Sequence, residues 1–384
     1  MIFTALRMLF GDRAKYIGIV VGLTFASMLI TQQSAIFLGF MARTYAFILD
    51  TPQPDLWVMD PEVEHHADNK QMLDTQLERV RSVEGVAWAV PMYKTWAKAR
   101  LPNGSIRNCI LIGIDDATLV GGPPQMVEGT LDDLRRSDAV IVHADEVLGK
   151  LGMDSADGTG RTPVRVGDAM ELNDRRAVIA GTFRTSPSFF WEPTLYTTLS
   201  RAKAFAPHER RQMTFVLVKA RPGIDHATLA ARIESSTGMA AHTPWGFSYL
   251  TARYIVDKTG IAVNFGLAVL MGVIVGAAIA GQTFHSFTLD NLRHFAALKA
   301  MGAGDRILMK MIVTQSLAVG AIGYGLGVGF ACLFGAAIGD SLAFWMPWQL
   351  LAFTAVLIAA ISLLTAFLSV RPVVRLEPGV VFKA

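Results

Sequence analysis

Apolar residues concentrate in one long stretch near the N-terminus and in three further stretches in the last third of the chain. These stretches cover residues 17–42, 261–289, 311–338 and 341–370, and none of them contains Lys, Arg, Asp or Glu. Each exceeds the run of about 20 apolar residues that crosses the core of a bilayer. Because a charge at mid-membrane costs at least a few kcal/mol, such stretches are typical of transmembrane helices. The pattern therefore predicts a membrane protein with four transmembrane α-helices in a 1 + 3 arrangement.

Positive charges indicate the side of the membrane on which each connection lies. Lys and Arg precede the first stretch, separate the second from the third and follow the fourth, whereas residues 339–347 contain neither. By the positive-inside rule, both termini and the second connection are cytoplasmic, and the long polar region lies outside. The third connection, with Asp340 and the flanking Trp345 and Trp348, is also predicted outside. The basic positions are Arg7, Arg13, Lys15, Arg293, Lys299, Arg306, Lys310, Arg371, Arg375 and Lys383.

These two patterns divide the chain into predicted segments. In order, they are a cytoplasmic N-terminal amphipathic segment (1–15), transmembrane helix 1 (16–43), a large extracytoplasmic (periplasmic) domain (44–258), helix 2 (259–287), a cytoplasmic helical segment (288–306), helix 3 (307–338), a short periplasmic loop (339–347), helix 4 (348–370) and a cytoplasmic tail (371–384). The large domain is thus inserted between helices 1 and 2, and it is long enough for a hydrophobic core of its own.

The inserted region alternates short strand-like and helical patterns, which predicts an α+β domain. Predicted strands cover residues 85–93, 107–114, 139–143 and 213–219, and predicted helices cover residues 69–82, 145–151 and 225–237. Residues 102–104, with the sequence Pro-Asn-Gly, predict one hairpin turn. Residues 164–183 predict a second hairpin, which turns at Asn173 and Asp174.

Composition narrows the classes of function. Only 17% of residues are charged and 52% are hydrophobic, whereas soluble domains are about 25% charged. The net charge of +3, with no massed basic segment, argues against a nucleic-acid partner. Cys109 and Cys332 lie in different predicted regions, so neither a disulfide framework nor a metal knot is expected.

Few residues suggest chemistry. Glu62, Glu64, His65, His66 and Asp68 form a polar cluster that a metal could occupy. Their spacing matches no zinc motif, so a solvated loop is the favoured interpretation.

No other catalytic or nucleotide site is indicated. The chain contains no G-x-S-x-G elbow and no phosphate-binding G-x-x-x-x-G-K-(S or T) loop, so we expect no catalytic residue, no metal site, no bound cofactor and no ATP hydrolysis by this chain. The aromatic run of Phe189, Phe190 and Trp191 is interpreted as part of a core, with an exposed contact for lipid or protein as the alternative.

Glycines recur at four-residue spacing inside the apolar stretches. Small residues at this spacing let helix backbones approach closely, which favours helix packing or dimerisation. Five glycines fall within residues 320–329, which predicts close packing or bending of helix 3. The helix-packing candidates are Gly18, Gly22, Gly272, Gly276, Gly323, Gly325, Gly327 and Gly329.

Residues 290–303 predict a helix with one apolar and one polar face. At 100° per residue, Leu289, Leu292, Phe295 and Ala296 share a face, while Asp290, Arg293 and His294 lie opposite. Gly302 is expected to end the helix. The segment could lie on the membrane surface with its polar side in water, or it could present that side to a cytoplasmic partner.

This same segment carries a family resemblance. Residues 294–303, with the sequence HFAALKAMGA, are similar to the signature E-x-A-x-L-K-A-(L or M)-G-A of FtsX/MacB-like ABC transporter permeases. The 1 + 3 layout agrees with that family, as does the R-P-x-x-x-x-x-P tail of Arg371, Pro372 and Pro378. Within the superfamily, the chain length, residues 1–13 and residues 271–276 most resemble DevC-like permeases of tripartite exporters. One departure is His294, which replaces the usual acidic residue.

The resemblance implies a permease that does not hydrolyse ATP itself. Two copies would form a homodimer, and each would dock a separate cytoplasmic ABC ATPase subunit that binds ATP and Mg²⁺. The coupling residues implied are Asp290, Arg293, His294, Ala297, Lys299, Met301, Gly302 and Ala303. ATP-driven closure would move the periplasmic domains, and this movement would propel a substrate by mechanotransmission.

The resemblance also implies a location and further partners. The protein would reside in a bacterial inner membrane and contact its lipid, with a periplasmic membrane-fusion protein and a TolC-like outer-membrane channel as partners. Export of a lipid, a glycolipid or a hydrophobic drug is the favoured function. The alternative is an FtsX-type signalling scaffold that regulates a periplasmic peptidoglycan hydrolase. A membrane enzyme is the least favoured reading, since no residue constellation supports it.

Overall fold

A computed structural model describes residues 2–154, 161–187, 189, 192–206, 213–339 and 342–374. The chain divides into two compact units, which are considered separately. The helical unit comprises Met1–Phe40 and Thr259–Ala384, and the inserted domain comprises Met41–Lys258. The predictions for Phe190, Trp191, Asp340, Arg375, Pro378 and Lys383 fall outside the described residues.

Four helices are long and apolar enough to cross a membrane, as judged by length and composition: Arg13–Leu49, Ile261–Asp290, Asp305–Ile338 and Trp348–Arg371. This result confirms the predicted membrane fold, with the domain inserted between the first and second of them. Two of the helices are longer than their apolar stretches suggest. The first runs on to Leu49 because the next helix-breaking residue is Pro52, and the second runs on to Asp290.

The helices are numbered in chain order. They are α1 (Ile2–Gly11), α2 (Arg13–Leu49), α3 (Thr75–Arg81), α4 (Leu199–Phe205), α5 (His226–Thr237), α6 (Pro244–Lys258), α7 (Ile261–Asp290), α8 (Leu292–Ala300), α9 (Asp305–Ile338) and α10 (Trp348–Val374). The predicted helix at residues 225–237 is confirmed as α5, and the Asp225 side chain accepts a hydrogen bond from the Thr228 amide at its start.

The strands of the inserted domain are β1 (Leu56–Met59), β2 (Val86–Arg100), β3 (Ile106–Ile114), β4 (Gln125–Glu128), β5 (Ala139–His143), β6 (Met153–Asp154), β7 (Arg161–Thr162), β8 (Ala169–Leu172), β9 (Arg175–Arg184), β10 (Thr194–Thr198), β11 (Phe215–Ala220) and β12 (Ala240–His242). In the main sheet the order is β12-β1-β11-β2-β3-β10-β5-β9-β4, and β8 pairs with both β2 and β9. Long β2 therefore lies in the middle of the sheet, between β11 and β3.

Both predicted hairpins are present. β2 and β3 pair antiparallel from Tyr93 with Gly113 to Arg100 with Ile106, and their turn contains Gly104 at φ +82°. β8 and β9 are joined by Asn173 and Asp174, which both have positive φ. Positive φ at both central residues is what a two-residue hairpin turn of type I′ requires, so this turn was predictable from the local sequence.

Two predicted helices are wrong in extent. The helix expected over residues 69–82 is only Thr75–Arg81, because the preceding chain is held extended by a β-bridge between Met72 and Met213. The helix expected over residues 145–151 is reduced to a 3₁₀ turn at Ala144–Glu146, followed by further turns. Gly149 and Gly152 lower helix propensity there.

β2 is longer than the predicted strand at residues 85–93. From Thr95 onward its side chains alternate, with Trp96, Lys98 and Arg100 exposed and Ala97 and Ala99 buried. This alternation is the ordinary pattern of a half-buried strand. It was missed because exposed Lys and Arg lower the apparent strand signal.

The helical unit is held together by close approaches at glycines. A Cβ atom added at Gly22 would lie 2.7 Å from the Ile279 side chain, and one at Gly276 would overlap Ala26, so α2 and α7 are in close contact. Gly18 and Gly272 face the same contact.

A second contact joins α9 to α2. A Cβ atom at Gly323 would lie 2.6 Å from Leu23 Cβ, and one at Gly327 would lie 2.5 Å from Ser27 Cβ. By contrast, added Cβ atoms at Gly325 and Gly329 meet no atom within 4 Å in the described part of the chain. The predicted packing glycines of α9 thus fall into two classes on different faces.

Replacing Gly323 or Gly327 with Leu is expected to destabilise the protein by about 1–3 kcal/mol per site, because the new side chain must displace α2. Thermal unfolding of the full-length protein in lipid nanodiscs measures this effect. Gly266→Leu is the matched control, since it makes the same change at an exposed glycine of α7 where an added Cβ atom meets no described atom within 4 Å. Equal stability of all these variants would contradict the close packing of α9 on α2.

Candidate functional site

The segment between α7 and α9 forms a short, separately bounded helix. The chain turns at Asn291, whose side-chain amide donates a hydrogen bond to the Phe287 carbonyl at 2.9 Å. Helix α8 then runs to Ala300 and ends at Gly302, which has φ +96°. The Ala303 amide donates to the Leu298 carbonyl at 3.0 Å, which is the bond of a Schellman motif. Gly302 therefore ends this helix for the conformational reason predicted.

One face of α8 is anchored in the helical unit. Phe295 and Ala296 are each 1% exposed, and Phe295 belongs to the same buried cluster as Phe284, Phe287 and Leu308. Leu289 was predicted on this face but is 41% exposed. It belongs to α7, and the turn at Asn291 breaks the helical phase between the two segments.

The opposite face of α8 is open. Arg293 and His294 are exposed, and their side chains make no hydrogen bond or ion pair within the described ranges. Met301, just after the helix, is 76% exposed. An exposed Met beside two exposed polar side chains is a surface that suits contact with another protein.

Two predicted coupling residues have partners within the chain. Asp290 forms an ion pair with Lys15, at the start of α2. Lys299 lies 3.0 Å from the Asp305 carboxylate, at the start of α9, and donates to the Val374 carbonyl at 3.1 Å. The first contact connects the end of α7, just before α8, to α2, and the others connect the end of α8 to α9 and α10. Sequence reasoning missed Lys15 and Asp305 as partners, because such contacts depend on how the helices pack.

The remaining predicted coupling residues are Ala297, which lies in α8, and Ala303, which lies just after its end. Ala297 is half-buried and Ala303 is 7% exposed. A further residue that the sequence analysis missed is Gln315, which is fully buried in α9 and donates to the Ala5 carbonyl of α1 at 2.7 Å. A glutamine inside an apolar stretch was the available signal.

The polar cluster at residues 62–68 lies in a loop, as the sequence favoured, and Glu62 and Glu64 are exposed there, but His66 is buried. His66 is only 4% exposed, and its Nδ1 lies 2.7 Å from the Nζ of Lys94, which is equally buried. Glu62 instead pairs with Lys70. No group of three metal-binding side chains occurs in the portion of the chain that the structure describes. Lys94 was overlooked although it directly follows the apolar residues 86–93 of β2.

Two protein families match the chain. The MacB-like periplasmic core domain matches residues 17–236, and the FtsX-like permease C-terminal family matches residues 266–378. A search of curated proteins finds no match.

Several solved structures are similar to part of the chain. The extracellular domain of the ABC-type transporter YknZ from Gram-positive bacteria is 15% identical, with a TM-score of 0.35, covering 50% of this chain and 98% of that one. The periplasmic region of MacB from Actinobacillus actinomycetemcomitans is 12% identical, with a TM-score of 0.37, covering 56% and 97%. A permease domain from Porphyromonas gingivalis is 14% identical, with a TM-score of 0.29, covering 50% and 90%.

These structural similarities are too weak to carry an argument. The family matches do carry one, because the first spans more than half of the chain and the second spans the helices that hold α8. Together they account for both the inserted domain and the 1 + 3 helices. The chain therefore belongs to the FtsX/MacB-like family of ABC transporter permeases.

Proposed function

We propose that this protein is the permease subunit of an ATP-driven exporter in a bacterial inner membrane. In this proposal α8 and both termini are cytoplasmic, and the inserted domain is periplasmic. The asymmetry of Lys and Arg between the connections supports this orientation. A separate ABC ATPase subunit would bind ATP and Mg²⁺, and the permease would convert its conformational change into movement of the inserted domain.

The observation that carries the proposal is the anchoring of α8. Its inner face is buried through Phe295, and Lys299 near its end is bonded to α9 and α10. Asp290, the last residue of α7 and two residues before α8, pairs with Lys15 of α2. Its outer face, with Arg293, His294 and Met301, is exposed. A force applied to that outer face would therefore reach three long helices directly.

Helix α2 is suited to pass such a force onward. It is continuous from Arg13, next to the ion-paired Lys15, to Leu49 in the inserted domain. At 1.5 Å per residue, its 37 residues span about 55 Å. A displacement at the cytoplasmic end of a continuous helix moves its far end as well. This supports transmission of movement rather than passage of substrate between the helices.

Reversing the charge of the outer face tests ATPase docking. The double variant Arg293→Glu/His294→Glu is expected to bind the ATPase subunit at least about tenfold more weakly, since a like-charge or unpaired contact costs several kcal/mol at an interface. Co-purification and stimulation of ATP hydrolysis measure the effect.

The control for this experiment is Arg175→Glu, a charge reversal at an exposed position in the inserted domain, which should leave docking unchanged. Permease purified without the ATPase subunit should not hydrolyse ATP. Normal docking and stimulation by the double variant would refute the role of this face.

We further propose that two copies form a homodimer and that the open glycine face of α9 contributes to the contact. Gly325 and Gly329 are four residues apart and exposed, which is the pattern that permits close approach of two membrane helices.

The double variant Gly325→Leu/Gly329→Leu is expected to shift the permease toward monomer, because the larger side chains prevent close helix contact. Mass photometry in nanodiscs measures the dimer fraction. Gly325→Ala/Gly329→Ala, which keeps both residues small, is the matched control. An unchanged dimer fraction in the Leu variant would place the interface elsewhere.

Export would require a periplasmic membrane-fusion protein and a TolC-like channel as partners, and a lipid, a glycolipid or a hydrophobic drug is the proposed cargo. The alternative is a signalling scaffold that controls a peptidoglycan hydrolase. A domain as large as Met41–Lys258 favours export. Comparing exported lipids, drug tolerance and cell separation in strains with and without the gene distinguishes the two functions, since a defect confined to cell separation would favour the scaffold.

A further inference from the structure

Lys94 carries a buried amino group that has no acidic partner in the described segments. It lies in the middle of β2 and is 4% exposed, and no carboxylate forms an ion pair with it in the described segments. Its backbone is fixed by Thr214, whose hydroxyl accepts from the Lys94 amide at 3.0 Å and donates to the Lys94 carbonyl at 3.2 Å. The backbone of β2 is therefore fixed at Lys94.

The Lys94 amino group is directed at His66. Its Nζ lies 2.7 Å from His66 Nδ1 and 3.2 Å from the His66 carbonyl oxygen. The ring of Phe47 lies beneath it, with 4.2 Å from Nζ to the ring centroid, which permits a cation–π contact. All the groups that stabilise the Lys94 charge are thus neutral.

His66 connects the sheet to two helices of the inserted domain. Its ring hydrogen-bonds to the backbone of Thr44, and it lies 5.8 Å from the ring of Phe47, both near the end of α2. Its amide donates to the Thr251 hydroxyl of α6 at 3.2 Å. Helices α2 and α6 are the two elements through which the chain enters and leaves this domain. The Lys94–His66 pair is therefore a junction between them and the central strand.

The hydrogen bonds of the pair depend on its protonation. With the charge on Lys94, Nζ donates to Nδ1, so His66 is then neutral and its proton lies on Nε2, facing Thr44. A proton added at Nδ1 would place two donors, and two positive charges, in direct contact. The pair can therefore carry one extra proton, either on Lys94 or shared between Nζ and Nδ1. A second proton breaks the Nζ–Nδ1 hydrogen bond.

Burial and charge both act against that second proton. Burial, and then the charge of Lys94, hold the pKa of His66 well below its usual value. Burial also lowers the pKa of Lys94 to about 7. The nearby titratable groups are His65, whose pKa is lowered mainly by burial, and beyond it Asp68 and Glu64. The other groups that face the pair are neutral. They are Thr44 and Phe47 of α2, Thr214 just before β11, and Thr251 of α6.

We propose that the Lys94–His66 pair is an acid-sensitive junction that holds the last turn of α2 onto the inserted domain and releases it when His66 is protonated. The pKa of His66 is lower in the intact junction than in the released one. Below the ordinary histidine value of about 6.5, the released state therefore binds a proton that the intact junction does not bind, so acid favours release. The consequence that acid weakens force transmission to the domain rests on the proposed function.

Hydrogen–deuterium exchange of the full-length permease in nanodiscs tests the release without any partner protein. Because the pKa of Lys94 is about 7, Lys94 is mostly protonated below that pH and His66 is the group that responds. In peptides covering residues 44–49, exchange corrected for the intrinsic rate should therefore increase between about pH 6.5 and pH 5.5, by up to about tenfold per pH unit. His66→Asn keeps an acceptor for Lys94 but cannot titrate, so it should abolish the increase. Lys94→Met removes the repelling charge and should reduce it.

His65→Asn is the matched control. His65 is the neighbouring histidine and stacks on Tyr254 of α6 at 4.4 Å between ring centroids, so this variant should retain the acid response of residues 44–49. An unchanged exchange rate in the wild type, or an undiminished response in His66→Asn, would overturn the proposal. If His66→Asn does not fold, the reduction expected in Lys94→Met decides the question instead. Stimulation of the ATPase at about pH 7.5 reports separately on the permease function, since the pair is intact there.

Discussion

The hydrocarbon core of a bilayer admits helices but excludes charges, and the rest of the helical unit follows from this constraint. The charged groups of its long helices lie at the ends, where Lys15 meets Asp290 and Lys299 meets Asp305. Exposed ion pairs of this kind contribute about 0–1 kcal/mol to stability. Their importance is therefore positional, since they join the end of α7 to the start of α2 and the end of α8 to the start of α9.

The interior of the helical unit is stabilised by packing and by neutral hydrogen bonds. Glycines allow α2 to approach α7 and α9 closely enough for van der Waals contact. The buried Ser316 hydroxyl donates to the Ser362 carbonyl at 2.6 Å, which connects α9 to α10. Gln315 similarly connects α9 to α1. In a medium without water, such bonds have no competing solvent, so they help to fix one arrangement of otherwise similar apolar helices.

Features encoded locally were predictable from the sequence. The uncharged stretches, the turn at Asn173 and Asp174, and the end of α8 at Gly302 each depend on a few adjacent residues. The extent of α3 was not predictable, because a bridge from distant Met213 holds the chain before it in extended form. The candidate site divides in the same way. The exposed and buried faces of α8 followed from helical periodicity, whereas the partners of Asp290 and Lys299 required the packed structure.

The two units handle buried polar groups differently, and this difference bears on function. In the helical unit the buried donors described here are neutral and bonded to backbone carbonyls. In the inserted domain, Lys94 is buried with only a histidine, a carbonyl and an aromatic ring as partners. An apolar residue of similar length, such as Met, would avoid the cost of burying an amino group there. Lys94 lies where Phe47 of α2 contacts the central strand and where His66 connects that strand to α6. Stability alone therefore does not explain the position of this buried amino group.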